Sequence, residues 1–241
     1  MIRFQNYVRA KSAEEAYKLN QSIRNVVCGG MMWLHLSDAE YDTCIDLCDL
    51  NLDQIEEEGD FFRIGAMVTL SELERYTPFQ EYYGTAVEDC LKHIVGVQFR
   101  NCATLGGSIM AKLAFSDIIT LLLPLDPLLE FHAQGKIPLS SFLKNRNQRD
   151  ILKYIYLPKV KQKMVFESVR KTYTDLPVLN LCAVKKEDGI TLAVGARPNL
   201  AVLVSPEDEV TFGSNPRGSK EYREHLYKVL RKRALAKLEE E

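Results

Sequence analysis

Apolar and polar positions recur along this chain with two periods, and the changes between them mark the predicted elements. After Ser12, a residue suited to capping a helix, Ala13, Ala16, Tyr17 and Leu19 follow at helical spacing and predict a short amphipathic helix. Asn25 to Cys28 is a β-type run stopped by Gly29-Gly30, and Tyr41 to Leu47 predicts another strand. The acidic stretch around Glu56 to Asp60 reads as a solvated turn. Phe61 to Ala66 is strand-like, Thr69 or Ser71 can cap a following helix, and residues 85–95 predict a further helix. Ile118 to Leu125 is too short for a membrane span and is broken by Pro124, so it predicts a buried element. Ile151 to Leu157 alternates as a strand closed by Pro158, and Lys159 to Lys163 reads as an exposed connection. Strands follow near 164–170, 178–185 and 191–197. A helix over 221–240 then carries the stripe Tyr222, Leu226, Val229, Leu230, Ala234 and Leu238, suited to covering a sheet.

These elements divide the 241 residues into three parts, 1–57, 58–160 and 161–241. Charge narrows the function: 31 basic residues against 33 acidic ones leave a net charge of -2, without the basic excess of a nucleic-acid or anionic-membrane binder. Met1 to Tyr7 lacks the apolar core of a secretion signal, so the expected compartment is the cytoplasm. The six cysteines are thinly scattered, and the pair Cys44 and Cys48 lacks the second pair that a zinc or iron–sulfur site requires. They are expected to be reduced thiols, with no metal site. The four histidines lack ligand-like spacing, and no catalytic nucleophile motif is present.

The candidate chemistry lies at two glycine pairs, Val26-Val27-Cys28-Gly29-Gly30-Met31-Met32-Trp33 and Arg100-Asn101-Cys102-Ala103-Thr104-Leu105-Gly106-Gly107-Ser108-Ile109. Adjacent glycines let backbone N–H groups approach an anion, which suits a pyrophosphate. Neither segment is a Rossmann fingerprint or a Walker A loop. The second one, continued through Ser116-Asp117 to Leu125-Asp126, resembles the signature R-N-x-A-T-I/L-G-G-N followed by S-D of the FAD-binding subunits of the molybdenum hydroxylases. That family includes xanthine dehydrogenase and the medium subunit of carbon monoxide dehydrogenase. Gly29-Gly30 lies where the family has its first flavin loop. Arg63 to Leu73 resembles its I-G-A stretch, and Phe166 to Lys171 with Asp175 resembles the opening of its C-terminal subdomain.

The resemblance implies an α+β protein: a two-part FAD-binding α/β domain of the PCMH type, followed by a small antiparallel sheet packed with helices. It also implies that the two loops, Val26 to Trp33 and Thr104 to Ser108, clasp the FAD pyrophosphate, that Asp117 contacts the adenosine part, and that Leu152 packs near the flavin. Thr104 and Ser108 could add hydroxyl donors. The expected function is an electron-transfer flavoprotein subunit, an oxidoreductase component. FAD would take electrons from a 2Fe-2S iron–sulfur subunit and pass them to NAD or another acceptor. A molybdenum-cofactor subunit would be a further separate chain. The sequence departs from the family where Met31-Met32 replaces Thr-Asp or Thr-Glu, where Ser108 replaces asparagine, where Ala114-Phe115 replaces Ser-Pro, and at Glu167, where some members have lysine. These losses motivate an alternative, a non-catalytic scaffold with a degenerate FAD site. Trp33, the only tryptophan, follows the first glycine loop and could approach a flavin ring, but the expected role is core packing.

Overall fold

The computed structural model describes residues 1–145 and 149–240. The first elements are β1 (Arg3–Arg9), α1 (Ala13–Asn20), β2 (Asn25–Cys28) and β3 (Glu40–Asp46), followed by β4 (Ile55–Glu58) and β5 (Phe61–Gly65). Six short helices come next: α2 (Leu70–Arg75), α3 (Phe79–Tyr83), α4 (Ala86–Leu91), α5 (Val97–Arg100), α6 (Leu105–Met110) and α7 (Asp117–Leu122). A hairpin of β6 (Leu128–Phe131) and β7 (Gly135–Pro138) leads through α8 (Leu139–Lys144) to β8 (Leu152–Pro158). The chain ends with β9 (Lys163–Arg170), β10 (Pro177–Lys186), β11 (Gly189–Gly195), β12 (Val202–Val204) and α9 (Lys220–Glu239). The predicted elements are present within a few residues of their expected limits. Ser12 caps α1 through its side chain, accepting from Glu15 N, as its position suggested.

Contacts divide the chain into two compact units. The first comprises residues 1–70, 98–111 and 127–158. It holds a three-stranded sheet of order β1-β3-β2, parallel throughout, and a five-stranded sheet of order β4-β5-β8-β6-β7 with antiparallel pairs. Its core gathers Ala10, Ala16, Ile45, Leu47, Leu52 and Ile151. The acidic stretch is not wholly a turn: Glu56 to Glu58 belong to β4, an edge strand whose exposed carboxylates meet Arg63 of β5, and only Gly59-Asp60 turns. Charged residues on such an edge discourage pairing with another chain. β4 also starts before residue 58, so the second sheet begins slightly earlier than the expected boundary.

The second unit comprises residues 71–97, 112–126 and 159–241. Its antiparallel sheet of order β12-β11-β10-β9 packs against α9, whose Leu226, Tyr227, Leu230, Ala234 and Leu238 are buried with Leu179, Leu181, Leu192 and Val194. Glu167 on β9 pairs with Lys237 of α9 at 2.6 Å. Arg223 lies fully buried at the start of α9. Its guanidinium donates to the carbonyls of Val178 (2.9 Å), Ala196 (3.1 Å), Gly213 (2.9 Å) and Gly218, and to Asn215 Oδ1 at 2.6 Å. A cation buried among five oxygens ties the helix to the sheet and to the 213–218 loop. Arg223→Met would leave those oxygens buried without a donor, and it should cost about 3 kcal/mol or more in urea unfolding. A loss below about 1 kcal/mol would show that the network contributes little.

Candidate functional site

The two glycine pairs meet within the first unit. β2 ends at Cys28 and the chain turns through Gly29 and Gly30, while the second pair opens α6. Thr104 caps α6, its Oγ1 accepting from Gly107 N at 3.1 Å and keeping its own proton to donate. The second loop is anchored to the segment after β5: Leu105 N donates to Val68 O (2.9 Å), Gly106 N to Ala66 O (2.8 Å), and Thr69 bridges Thr104. A Cβ on Gly30 would stand 1.7 Å from the Cys102 carbonyl oxygen, and one on Gly106 2.6 Å from the Ala66 oxygen, so close backbone approach requires both glycines. Gly107 is different, because its Cβ would meet only Thr104 Oγ1, at 3.0 Å.

Two clefts flank this junction and share Val26, Val27, Gly29, Thr104, Gly107 and Met110 as a common wall. One, of about 310 Å³, is also lined by Asn20, Leu47, Ala66, Met67, Arg149 and Leu152. The other, of about 300 Å³, is lined by Met31, Met32, Trp33, Phe99, Ser108 and Ala111. Among the described residues, the amides of Gly29, Gly30, Met31 and Met32 at the junction have no protein acceptor. Successive free N–H groups attract an anion. The arrangement therefore suits a ligand with two flat ends joined by a negatively charged linker.

The first cleft is held rigidly. Arg149 donates to Asn20 O (2.6 Å), Asn20 Oδ1 (3.1 Å), Ser22 O (2.6 Å) and Asn25 O (2.9 Å), fastening the segment before β8 to the turn before β2. The carboxylate of Asp150, 3% exposed, accepts from the amides of Ala133, Gln134 and Ile151. Neither residue carries a signal in the sequence, since their partners are remote in the chain and belong to no short motif. The same holds for Asn20 and Phe99, whereas Met67 and Met110 lie inside the stretches that resemble the family.

The structure brings most of the sequence-predicted residues to this junction, with four differences in detail. Cys28 and Cys44 lie diagonally on the neighbouring strands β2 and β3, Cα atoms 6.2 Å apart, and are joined as a disulfide rather than standing as separate thiols. Trp33 is not a core residue: it is 36% exposed, with its ring edge-on to Phe99 at 5.5 Å. Its loop stands at the surface, and neighbouring Leu36 is 66% exposed. Ser108 gives its proton to the Thr104 carbonyl at 2.8 Å, so Thr104 is the hydroxyl left to donate from the second loop. Asp117 belongs to the second unit, where its buried carboxylate pairs with Arg170 (2.8 Å) and accepts from Asn180 Nδ2 (2.8 Å). Burial pushes its pKa up, against the pull of the Arg170 charge. Leu105 is buried and Leu152 lines the first cleft.

The sequence model described as the FAD binding domain in molybdopterin dehydrogenase matches residues 2–160. The chain belongs to this family. Among solved structures it is similar to a carbon monoxide dehydrogenase from Hydrogenophaga pseudoflava that lacks the Mo-pyranopterin moiety of the molybdenum cofactor. That match has a TM-score of 0.87 at 20% identity and covers 98% of this chain and 97% of that one. It is also similar to quinoline 2-oxidoreductase from Pseudomonas putida 86, with a TM-score of 0.86, 17% identity, and coverage of 98% and 96%. A reconstituted CO dehydrogenase from Oligotropha carboxidovorans gives 0.85, 19%, 98% and 97%. Comparison with curated protein sequences gives no match. The α+β fold is thus that of these flavoprotein-family chains, and the cofactor of the family's domain is FAD. Among the described residues, no helix is long and apolar enough to cross a membrane.

Met31 follows the glycines in a left-handed conformation, with φ 56°, which a side chain disfavours by about 1–2 kcal/mol. Met31→Gly should therefore be neutral or stabilising by up to about 1 kcal/mol in urea unfolding. Gly30→Ala should destabilise by about 2–3 kcal/mol, because the Cys102 carbonyl must move. Equal effects of the two variants would contradict this loop geometry.

Proposed function

We propose that this chain is the FAD-binding electron-transfer subunit of a multi-subunit molybdenum hydroxylase, receiving electrons from a partner 2Fe-2S centre and passing them through FAD to NAD or another acceptor. A separate molybdenum-cofactor subunit would carry out substrate hydroxylation. The observation that carries this reading is the pair of clefts meeting at four free backbone amides, since FAD has two planar ends joined by a pyrophosphate. FAD, when bound, supplies the redox chemistry, and the protein supplies binding, orientation and electrostatics.

The residues fit that division of labour. The amides of Gly29 to Met32, with the Thr104 hydroxyl, would hold the pyrophosphate without depending on side-chain identity at positions 31 and 32. The methionines there remove a hydroxyl and an acidic group found in relatives of the resembled pattern, and each hydrogen bond to a charged group is worth about 1.5–3 kcal/mol. Those losses favour the second reading, a scaffold that has kept the fold without the cofactor. The two readings part on FAD binding alone.

Saturating FAD should raise the thermal midpoint of the apoprotein by mass action, and a scaffold would show no shift. Gly107→Asp places a carboxylate beside the proposed pyrophosphate site, its Cβ 3.0 Å from Thr104 Oγ1, a side-chain hydroxyl that must shift by only a few tenths of an ångström, so the FAD shift should vanish while the fold persists. Cys48→Ala, at an exposed position that lines neither cleft, should retain the full shift. Identical FAD responses in the two variants would overturn the site.

A further inference from the structure

We propose that this chain pairs with a second copy of itself along the free edge of β9, joining the antiparallel sheets of the two second units across a two-fold axis. The inference stands apart from the FAD reading, because no residue of β9 lines either cleft at the glycine loops. In the order β12-β11-β10-β9, the outer strand β12 is three residues long, whereas β9 runs for eight. β9 bonds to β10 alone. In an antiparallel pair, alternate residues turn their N–H and C=O groups away from the neighbouring strand. Among the described residues, those outward groups between Lys163 and Glu167 have no protein partner.

Sheet edges are ordinarily blunted by shortness, proline, a bulge, a covering element or a charge. β9 contains no proline or glycine, and its register with β10 is unbroken from Lys163 to Val169. In place of a covering element, a cleft of about 720 Å³ lies beside Lys163 to Phe166. The α3–α4 segment and the end of α9 form its walls. The charge that guards this edge is Lys163, and β9 itself carries the counter-charge.

Charge thus names the occupant. Lys161 is engaged by Glu81 at 2.8 Å and Lys237 by Glu167 at 2.6 Å, whereas Lys163 makes no ion pair among the described residues. Lys163, Val165 and Glu167 alternate onto one face of the sheet, and Met164 and Phe166 onto the other. Two antiparallel copies of β9 centred on Val165 place Lys163 of each opposite Glu167 of the other. They also set Val165 against its own copy and Met164 against Phe166. A parallel pairing in register would oppose lysine to lysine, and a shift of one residue would lose both ion pairs. The contact is self-complementary, so it closes at two copies.

The test is the mass of the full purified chain by sedimentation equilibrium over a micromolar concentration series. One chain is 27.5 kDa, and the wild type should approach twice that mass as concentration rises. Lys163→Glu and Glu167→Lys should each weaken dimerisation at least about tenfold, since each sets like charges opposite one another at both pairs. An equimolar mixture of the two variants should recover dimers, because the mixed pair restores opposite charges at both positions. Hydrogen exchange of the wild type needs no variant: amides within Lys163 to Glu167 should slow with concentration while those of β4 and β12 do not. Dimers indifferent to both charge reversals, a mixture no tighter than either variant alone, or protection confined to other segments would overturn the proposal. A wild type that stays monomeric, with its β9 amides protected only in an assembly with a partner subunit, would give the edge to that partner and overturn it too.

Discussion

The close approach of Gly30 to the Cys102 carbonyl is the contact on which the site depends. It presses the turn after β2 against the chain entering α6, and no side chain fits between them. The second loop is fixed in turn to the segment after β5 by the bonds from Leu105 to Val68 and from Gly106 to Ala66. Main-chain atoms do all of this joining. Among the described residues the amides of the first loop keep their hydrogen-bonding capacity unspent, and the two clefts lie on either side of the junction.

This explains how the loop tolerates methionines where the resembled pattern has polar residues. A binding site made of backbone donors asks of the sequence only that glycine occupy the crowded positions and that the flanking strands hold register. Side chains around it then have freedom to tune each end of the ligand. Met31 takes a left-handed conformation that glycine would adopt more easily, a local cost that the anchored loop sustains.

Elements with a strong local signal were legible in the sequence: Ser12 and the helix after it, the β runs ending at Gly29 and Pro158, and the stripe of the last helix. Both glycine pairs were legible too, because crowding of backbone against backbone leaves a residue-specific mark. What escaped depends on partners far along the chain. The acidic β4 reads as a turn because its pairing with β5 supplies what its composition does not. Arg223 has the look of a surface residue until the carbonyls around it are known. Asp117 shows the same limit, since a motif gives its position but not its buried partner Arg170. A lone large aromatic is normally buried, whereas Trp33 stands on an exposed loop beside a cleft.

Family membership, the FAD-type domain and the bipartite groove converge on a protein whose work is to hold one flavin dinucleotide. Its net charge of -2 lacks the basic excess of a nucleic-acid binder. The most direct measurement is the visible spectrum of the purified chain after saturation with FAD and removal of excess, combined with the mass of the ligand released on denaturation. The account predicts flavin absorbance and one FAD released per polypeptide. A colourless protein that releases none would contradict it.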